Sequence, residues 1–369
     1  MNIDASVRLP NTPNLALTPC YPFPMSLKPY LKRLMEERAT LSRDEARALM
    51  ETVFSGGSSE IELAALFGAL GSRAEDPAEL AGFVDAMRSA ATTLPLTGAE
   101  RDTLVDTCGT GGDLSGTFNI STAAALVAAA AGASVAKHGN RAVTSKSGSA
   151  DVLEALGIPV SLTPPRAAEA LRRHRFAFLH APGHHPAMRA VMPVRRALGI
   201  RTVFHVLGPL TNPAGARAQV MGVYSPHLVP IVAEAMVLLG TRHAFVVHGE
   251  SGDGTGMDEI SIGGPSSIAE VRDGKVILST FAPEDAGLKR ALPGQLHGGD
   301  ATANAQILRS IFAGEPGPHR DVVLLNAAAV LVTAGLAGDL LSGVSLARQA
   351  IDNGSVSRLI TELSLVPQI

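Results

Sequence analysis

"TLVDTCGTGGDLSGTFNISTAAALVAAAAG", Thr103 to Gly132, carries a strand, a loop and a helix in immediate succession. "TLVDTC" is short and rich in β-branched and apolar residues, which reads as a strand. Gly109, Gly111 and Gly112 then let the backbone turn sharply and come close to a ligand. Ser121 to Ala131 reads as a helix, closed by Gly132. Free N–H groups at that helix start, the positive end of its dipole and the polar side chains of Asn119, Ser121 and Thr122 suit a phosphate or pyrophosphate. No Gly-Lys-Ser/Thr ends the loop, so it is not a P-loop, and its spacing is not the dinucleotide fingerprint. A plain glycine turn before an ordinary N-cap remains an equal reading of this stretch alone.

Working outward, strand and helix signals alternate, as a largely parallel α/β sheet requires. "SVAKHG", "IPVSL", "FAFLHAP" and "HAFVVHG" read as strands. Helices are predicted from Ser149 to Gly157, after Thr163 as cap, from Pro186 to Leu198 and over "HLVPIVAEAMVLLG". "SIAEVRDGKVILSTF" reads as a hairpin turning at Asp273-Gly274, and the chain from Ala303 on as mostly helical. "FHVLGPLTNPAG" reads as a Gly/Pro hinge-like link. Upstream, Ser26 to about Arg88 is helical throughout, with Ser42 and Asp76 as N-caps and Pro77 at a first helical position. The expected fold is α/β: a small all-helical N-terminal domain over 25–96, with helices near 186–210 as candidates to join it, and a larger α/β domain over 97–369. Its mostly parallel central sheet is flanked by helices, and the cleft between domains is the default ligand site.

Composition narrows the function classes. The 369 residues are 46% hydrophobic and 18% charged, enough to bury a core. A net charge of −3 gives no footprint for nucleic acid or an anionic membrane. Cys20 and Cys108 are too few for a disulfide framework, which fits a cytoplasmic, reducing location. Ala123 to Gly132 is far shorter than a membrane span. Residues 1–24 are proline-rich and lack the pattern of a secretion signal; they are expected to be disordered, with the fold beginning at Met25.

Three further stretches carry chemistry. "KHGNRAVTSKSGS", Lys137 to Ser149, follows a strand and supplies Lys137, His138, Asn140, Arg141, Lys146 and several hydroxyls, either as a second phosphate cradle or as a solvated loop. Asp258 and Glu259 lie in "HGESGDGTGMDEIS" after another strand; beside two anion sites, adjacent acids suggest Mg²⁺ held partly by phosphate oxygens. An ordinary surface pair is the alternative. "HHPAMRAVMPVRRALGIRT" offers Arg195 and Arg196, either of which could clamp a carboxylate or simply face solvent. Adjacent His184 and His185 do not share a helix face, so zinc is discounted.

Taken together, "GTGGD…TFNIST", "KHGNRAVTSKSGSADVLEALG", "HHPAMR…VRRALGIRT" and "LGPLTNPA" resemble the anthranilate phosphoribosyltransferases in order and spacing, from about Met25 to the C-terminus. The resemblance implies transfer of the phosphoribosyl group of phosphoribosyl pyrophosphate (PRPP) to the amine of anthranilate, a step of tryptophan biosynthesis. It implies PRPP binding by Gly109, Gly112, Asp113, Thr117, Asn119, Ser121, Thr122, Lys137, His138, Gly139, Asn140, Ser145 and Ser149. It implies anthranilate contacts from Gly109, Asn140 and Arg195, and two Mg²⁺ ions: one on Ser121 and Glu259, a second on Asp258 and Glu259. No side chain is expected to act as acid or base. A homodimer through the helical domain is also implied, with no nucleic-acid or membrane partner.

The sequence departs from the family at "ALGSRAED", which lacks the usual Lys-Gly-Glu, and at His205, where Asn is usual. A longer carboxylate loop, "ESGDGTGM", makes Asp253 a competitor of Asp258 as ligand. Related pyrimidine nucleoside phosphorylases share the fold with a different glycine loop, and would need no adjacent acids for Mg²⁺. A non-catalytic nucleic-acid-binding relative is the reading from another class.

Overall fold

A computed structural model describes residues 26–142 and 146–367. Ser145 and the expected disordered stretch 1–24, with Cys20, lie outside the described residues. Eight strands form one sheet: β1 (Leu104–Gly109), β2 (Ser134–Gly139), β3 (Phe176–His180), β4 (Ala218–Gly222), β5 (His243–Glu250), β6 (Gly256–Met257), β7 (Ser266–Arg272) and β8 (Lys275–Phe281). Their order is β3-β2-β1-β4-β5-β7-β8, with β6 paired to β5 off this path. The first five pair in parallel, and β6, β7 and β8 add antiparallel edges. The β7–β8 turn is the expected one: Asp273 and Gly274 both take positive φ, as a two-residue hairpin loop requires.

Alternate residues of the central strands feed opposite faces of the sheet. Val220, Phe245 and Val247 pack with the Ile120–Ala130 and Pro318–Thr333 helices. Met221, Ala244 and Val246 face the Leu228–Leu238 helix and the N-terminal helices. Every residue from Val322 to Thr333 is buried, which accounts for the mostly apolar run there, broken by Asn326 and Thr333. The helices Arg43–Phe54 and Glu60–Gly71 start with complete capping boxes, Ser42 with Glu45 and Ser59 with Glu62. Asp76 caps the Pro77–Ser89 helix through the Ala78 and Glu79 N–H groups. Leu49, Phe67 and Phe83 share one apolar cluster with Phe204, Leu207 and the sheet face.

Several expectations are corrected. "IPVSL" is not a strand: Ile158 and Val160 are buried, but the segment joins no ladder, and Pro159 lacks the N–H one would need. Pro186–Leu198 is not one helix but a 3₁₀ turn, Pro186–Ala190, and an α-helix, Met192–Leu198, because Pro193 removes a donor where the two would fuse. "FHVLGPL" is no open link; it forms a largely buried helix, Phe204–Leu210, despite Pro209. The strand in "FAFLHAP" stops at His180. Strand β4, central in the sheet, had no reading at all. Thr163 occupies its N-cap position without a side-chain cap bond.

Candidate active site

The glycine loop leaves the C-terminal end of β1, where an open parallel sheet binds ligands. Gly111, Gly112, Leu114 and Gly116 all take positive φ, so the loop coils back on itself. Gly116 O accepts from the Gly298 N–H at 2.9 Å, and Thr117 bridges to His297, which fastens the loop to the chain before the Ala301–Phe312 helix.

Asp258 and Glu259 lie across the ends of three strands, and glycine makes this approach possible. A Cβ on Gly109 of β1 would collide with the Asp258 carboxylate, and one on Gly222 of β4 with the Asp258 carbonyl. A Cβ on Gly249 of β5 would stand 2.6 Å from the Glu259 carbonyl. The acids are then gripped from the loop and the helix. Asp258 Oδ2 accepts from the Gly111 N–H at 2.7 Å, and the Asp258 N–H donates to Asp113 Oδ2 at 3.2 Å. Glu259 Oε1 accepts from the Ser121 N–H at 3.0 Å, in the first turn of the Ile120–Ala130 helix, where the dipole favours a negative charge. Asn326, buried on the Pro318–Thr333 helix, holds the next residue on both sides: Ile260 N–H donates to its Oδ1 at 3.0 Å and Ile260 O accepts from its Nδ2 at 2.8 Å.

Burial and the neighbouring Asp113 and Glu259 push the Asp258 carboxyl well above its usual range. Burial pushes Glu259 up to about 7, although Lys137 and the Ser121 N–H oppose it. Lys137 is fully buried, donating to Thr107 O at 2.6 Å and Ser121 Oγ at 3.3 Å. Its burial lowers its proton affinity. Lys137 acts electrostatically on Asp258 and Glu259, and a cation bound beside these acids would favour their ionised forms. No three His, Cys, Asp or Glu side chains form a dedicated metal cage among the described residues. Mg²⁺ needs none, because it is held by one or two carboxylates and substrate oxygens. The acids and the Ser121 hydroxyl therefore fit it.

Around this centre lie most of the residues singled out in the sequence. Asn119, at the N-cap position, donates to Ser147 O at 3.2 Å; its Oδ1 accepts from Ser147 Oγ at 3.2 Å and Asn304 Nδ2 at 2.9 Å. Asn304 and Asn326 were missed, and lone polar residues in long helices give no sequence signal to find them; Ser147 is one of the hydroxyls of the lysine loop. Thr122 is buried, with no hydrogen-bond partner for its Oγ1 among the described residues. His138 is buried, its ring 5.1 Å from that of His185. Ser149 begins a helix against Gly139, and a Cβ on Gly139 would stand 3.3 Å from the Ser149 Cβ. Asn140 is exposed, its Oδ1 accepting from the Arg141 N–H at 2.8 Å. Arg141 pairs with Asp151 and Glu154, and Lys146 is exposed.

Of the two candidate clamps, Arg196 is exposed, while Arg195 lies half-buried with its guanidinium 5.1 Å from the Phe204 ring centre. Burial lowers the Arg195 proton affinity, and it has no carboxylate partner among the described residues. His205 does not reach the acids; its Nδ1 lies 3.1 Å from the Thr202 N and 3.0 Å from the Thr202 O. Asp253 closes its own turn, accepting from Ser251 Oγ at 2.8 Å and the Thr255 N–H at 2.9 Å, so it does not compete with Asp258. His184 Nδ1 bonds Thr92 O at 2.9 Å, a structural tie.

The chain as a whole is similar to known proteins. The family described as "Glycosyl transferase family, a/b domain" matches residues 101–357, and "Glycosyl transferase family, helical bundle domain" matches 28–91. An anthranilate phosphoribosyltransferase of Solibacter usitatus is 50% identical over 92% of this chain and 98% of its own length. The crystal structure of that enzyme from Thermus thermophilus is 44% identical, with a TM-score of 0.83 over 90% of this chain and 98% of that one. The Saccharomyces cerevisiae enzyme in complex with PRPP and Mg is 27% identical, with a TM-score of 0.81 over 91% and 96%. The chain belongs to the anthranilate phosphoribosyltransferase family of glycosyl transferases.

Proposed function

We propose that this protein joins anthranilate to the ribose C1 of PRPP, releasing pyrophosphate, in tryptophan biosynthesis. The observation that carries the reading is the Asp258–Glu259 pair laid across three glycine-ended strands against an N–H-rich loop. The C1–O bond to pyrophosphate breaks, a C1–N bond forms with inversion, and the amine gives up a proton to solvent. An aromatic amine is neutral near pH 7 with its lone pair free, so a strong general base is unnecessary.

Stabilisation of the leaving group falls to the loop and helix. The backbone around Gly109 and Gly112, with Asp113, Thr117, Asn119, Ser121, Thr122, Lys137, His138, Gly139 and Ser149, cradles PRPP. Ser145 belongs to the same set. Two Mg²⁺ ions, on Ser121, Asp258 and Glu259, would neutralise charge developing on the pyrophosphate. Arg195 pairs the anthranilate carboxylate while Asn140 and the Gly109 backbone hold the amine in line. Assembly as a homodimer through the helical region and a cytoplasmic location complete the proposal. No described helix is long and apolar enough to cross a membrane.

The test is loss of anthranilate fluorescence with PRPP and Mg²⁺, which should be abolished by chelation and cut steeply by Asp258→Asn or Glu259→Gln. Absence of conversion by the wild type overturns the reading. A parallel assay with a pyrimidine nucleoside and phosphate should give none.

A further inference from the structure

We propose that an arginine-lined cavity at the N-terminal end of the sheet is a second anion site, taking a doubly charged oxyanion of the phosphate class. The cavity has a volume of about 290 Å³. Arg217 lines it from just before β4, Arg88 from the Pro77–Ser89 helix and Arg101 from the Gly98–Thr103 helix. Strand β4 runs from this cavity to Gly222 at the carboxylates, so the two places stand about 16 Å apart along the strand.

Two of the arginines, Arg88 and Arg101, are held in place by groups that do not cancel their charge. Arg88 donates from Nε and Nη2 to Leu210 O, at 3.0 and 2.8 Å. Arg101 donates to Ala214 O and Leu94 O, both at 2.7 Å. A carbonyl orients a guanidinium but carries no net charge, and a guanidinium has five N–H donors. The remaining donors of both have no hydrogen-bond partner among the described residues. No Asp or Glu among the described residues lines the cavity. Arg217 pairs with Asp102 at 3.1 Å where both are about half exposed, and the Asp85 carboxylate acts on Arg88 through space. Burial also lowers the proton affinity of Arg88, a cost an anion would offset.

The backbone makes room for this arrangement. Gly215 takes a φ of +70°, and a Cβ there would stand 2.8 Å from Arg101 Nη1. Thr211 and Thr241 add lining hydroxyl side chains. Three arginines lining one cavity from separate segments suit a tetrahedral oxyanion with several acceptor oxygens. The cavity has room for more than one small ion, so both free orthophosphate and a phosphomonoester satisfy the chemistry.

Crystals soaked in selenate should show anomalous density between Arg88, Arg101 and Arg217. In solution, calorimetric titration with orthophosphate and with ribose 5-phosphate should reveal a binding equivalent in the wild type that Arg101→Gln and Arg217→Gln weaken at least fivefold. Turnover of both variants should stay within twofold of wild type. Whichever probe loses more affinity in the variants names the natural source. Arg101 ties two backbone segments, so if its variant fails to fold, the half-exposed Arg217 decides. Selenate absent from the arginines, or equal binding by the wild type and Arg217→Gln, overturns the proposal.

Discussion

Gly109 and Asp258 compete for one volume: the carboxylate of Asp258 stands where any β-carbon on residue 109 would go. The same acid accepts the Gly111 N–H, so the position of the carboxylate and the shape of the glycine loop are set together. Gly109→Ala should therefore fold, since Asp258 can swing aside, but with the acid displaced. Displacement of a reacting group by about 1 Å costs about 100-fold in rate. Steady-state kinetics should show a loss of that order in kcat together with a raised Mg²⁺ requirement; unchanged Mg²⁺ dependence would count against the link.

Arg195 is held against Phe204 and has no carboxylate partner among the described residues; its side-chain hydrogen bond goes to Met192 Sδ at 3.9 Å, which leaves donors for a ligand. Arg195→Ala should raise the anthranilate KM about tenfold or more, equivalent to about 1.4 kcal/mol or more, with the PRPP KM unchanged. Arg195→Lys should recover only part, because an ammonium cannot make the planar two-point contact. An unchanged anthranilate KM in the alanine variant would remove Arg195 from the site.

Asn326 satisfies both backbone groups of Ile260, the residue after Glu259, from within the core. Replacement by Leu leaves a buried N–H and a buried C=O without this partner, at about 1–3 kcal/mol each. Denaturant unfolding of Asn326→Leu should show a loss of about 2–6 kcal/mol, and its Mg²⁺ activation curve should move to higher concentration. Asn326→Ala offers no substitute donor and should behave similarly.

Asp106 is buried in β1, accepting the His138 N–H at 3.1 Å, and burial raises its carboxyl to about 6. The folded protein thus holds this proton more tightly than the unfolded chain, whose Asp titrates near 4. The stabilising effect of that proton is complete below about pH 4 and is lost as pH rises through about 6. Relative to Asp106→Asn, the wild type should lose up to roughly 3 kcal/mol of stability on going from pH 4 to pH 7.5. Urea unfolding of both proteins across that range checks it, and parallel curves would contradict the shift.

The glycine loop, the lysine loop, the acid pair and the Arg195–Arg196 pair were all legible as local patterns, because each combines a backbone requirement with clustered polar chemistry. Helix starts were legible for the same reason: Ser42 and Asp76 act within their own first turns. The failures were segments whose local signal is weak or contradictory. Strand β4 hides in "AQVMG", where Gln and Gly dilute the apolar pattern, although all five residues are buried. "FHVLGPL" carries Gly and Pro, yet burial of Phe204, Val206, Leu207 and Leu210 keeps it helical.

By itself, the sequence determined the strand–loop–helix unit, the parallel α/β class and the residue types able to meet phosphate and Mg²⁺, since these follow from periodicity, glycine placement and charge within short windows. Only the tertiary structure decided which of those residues meet. Ser121 and Glu259 are 138 positions apart, and no local rule joins the N–H of one to the carboxylate of the other. The same holds for Asn119 with Asn304, and for the three arginines around the second cavity. Such pairings depend on strand order and on how close glycine lets the backbones come, which are properties of the packed sheet.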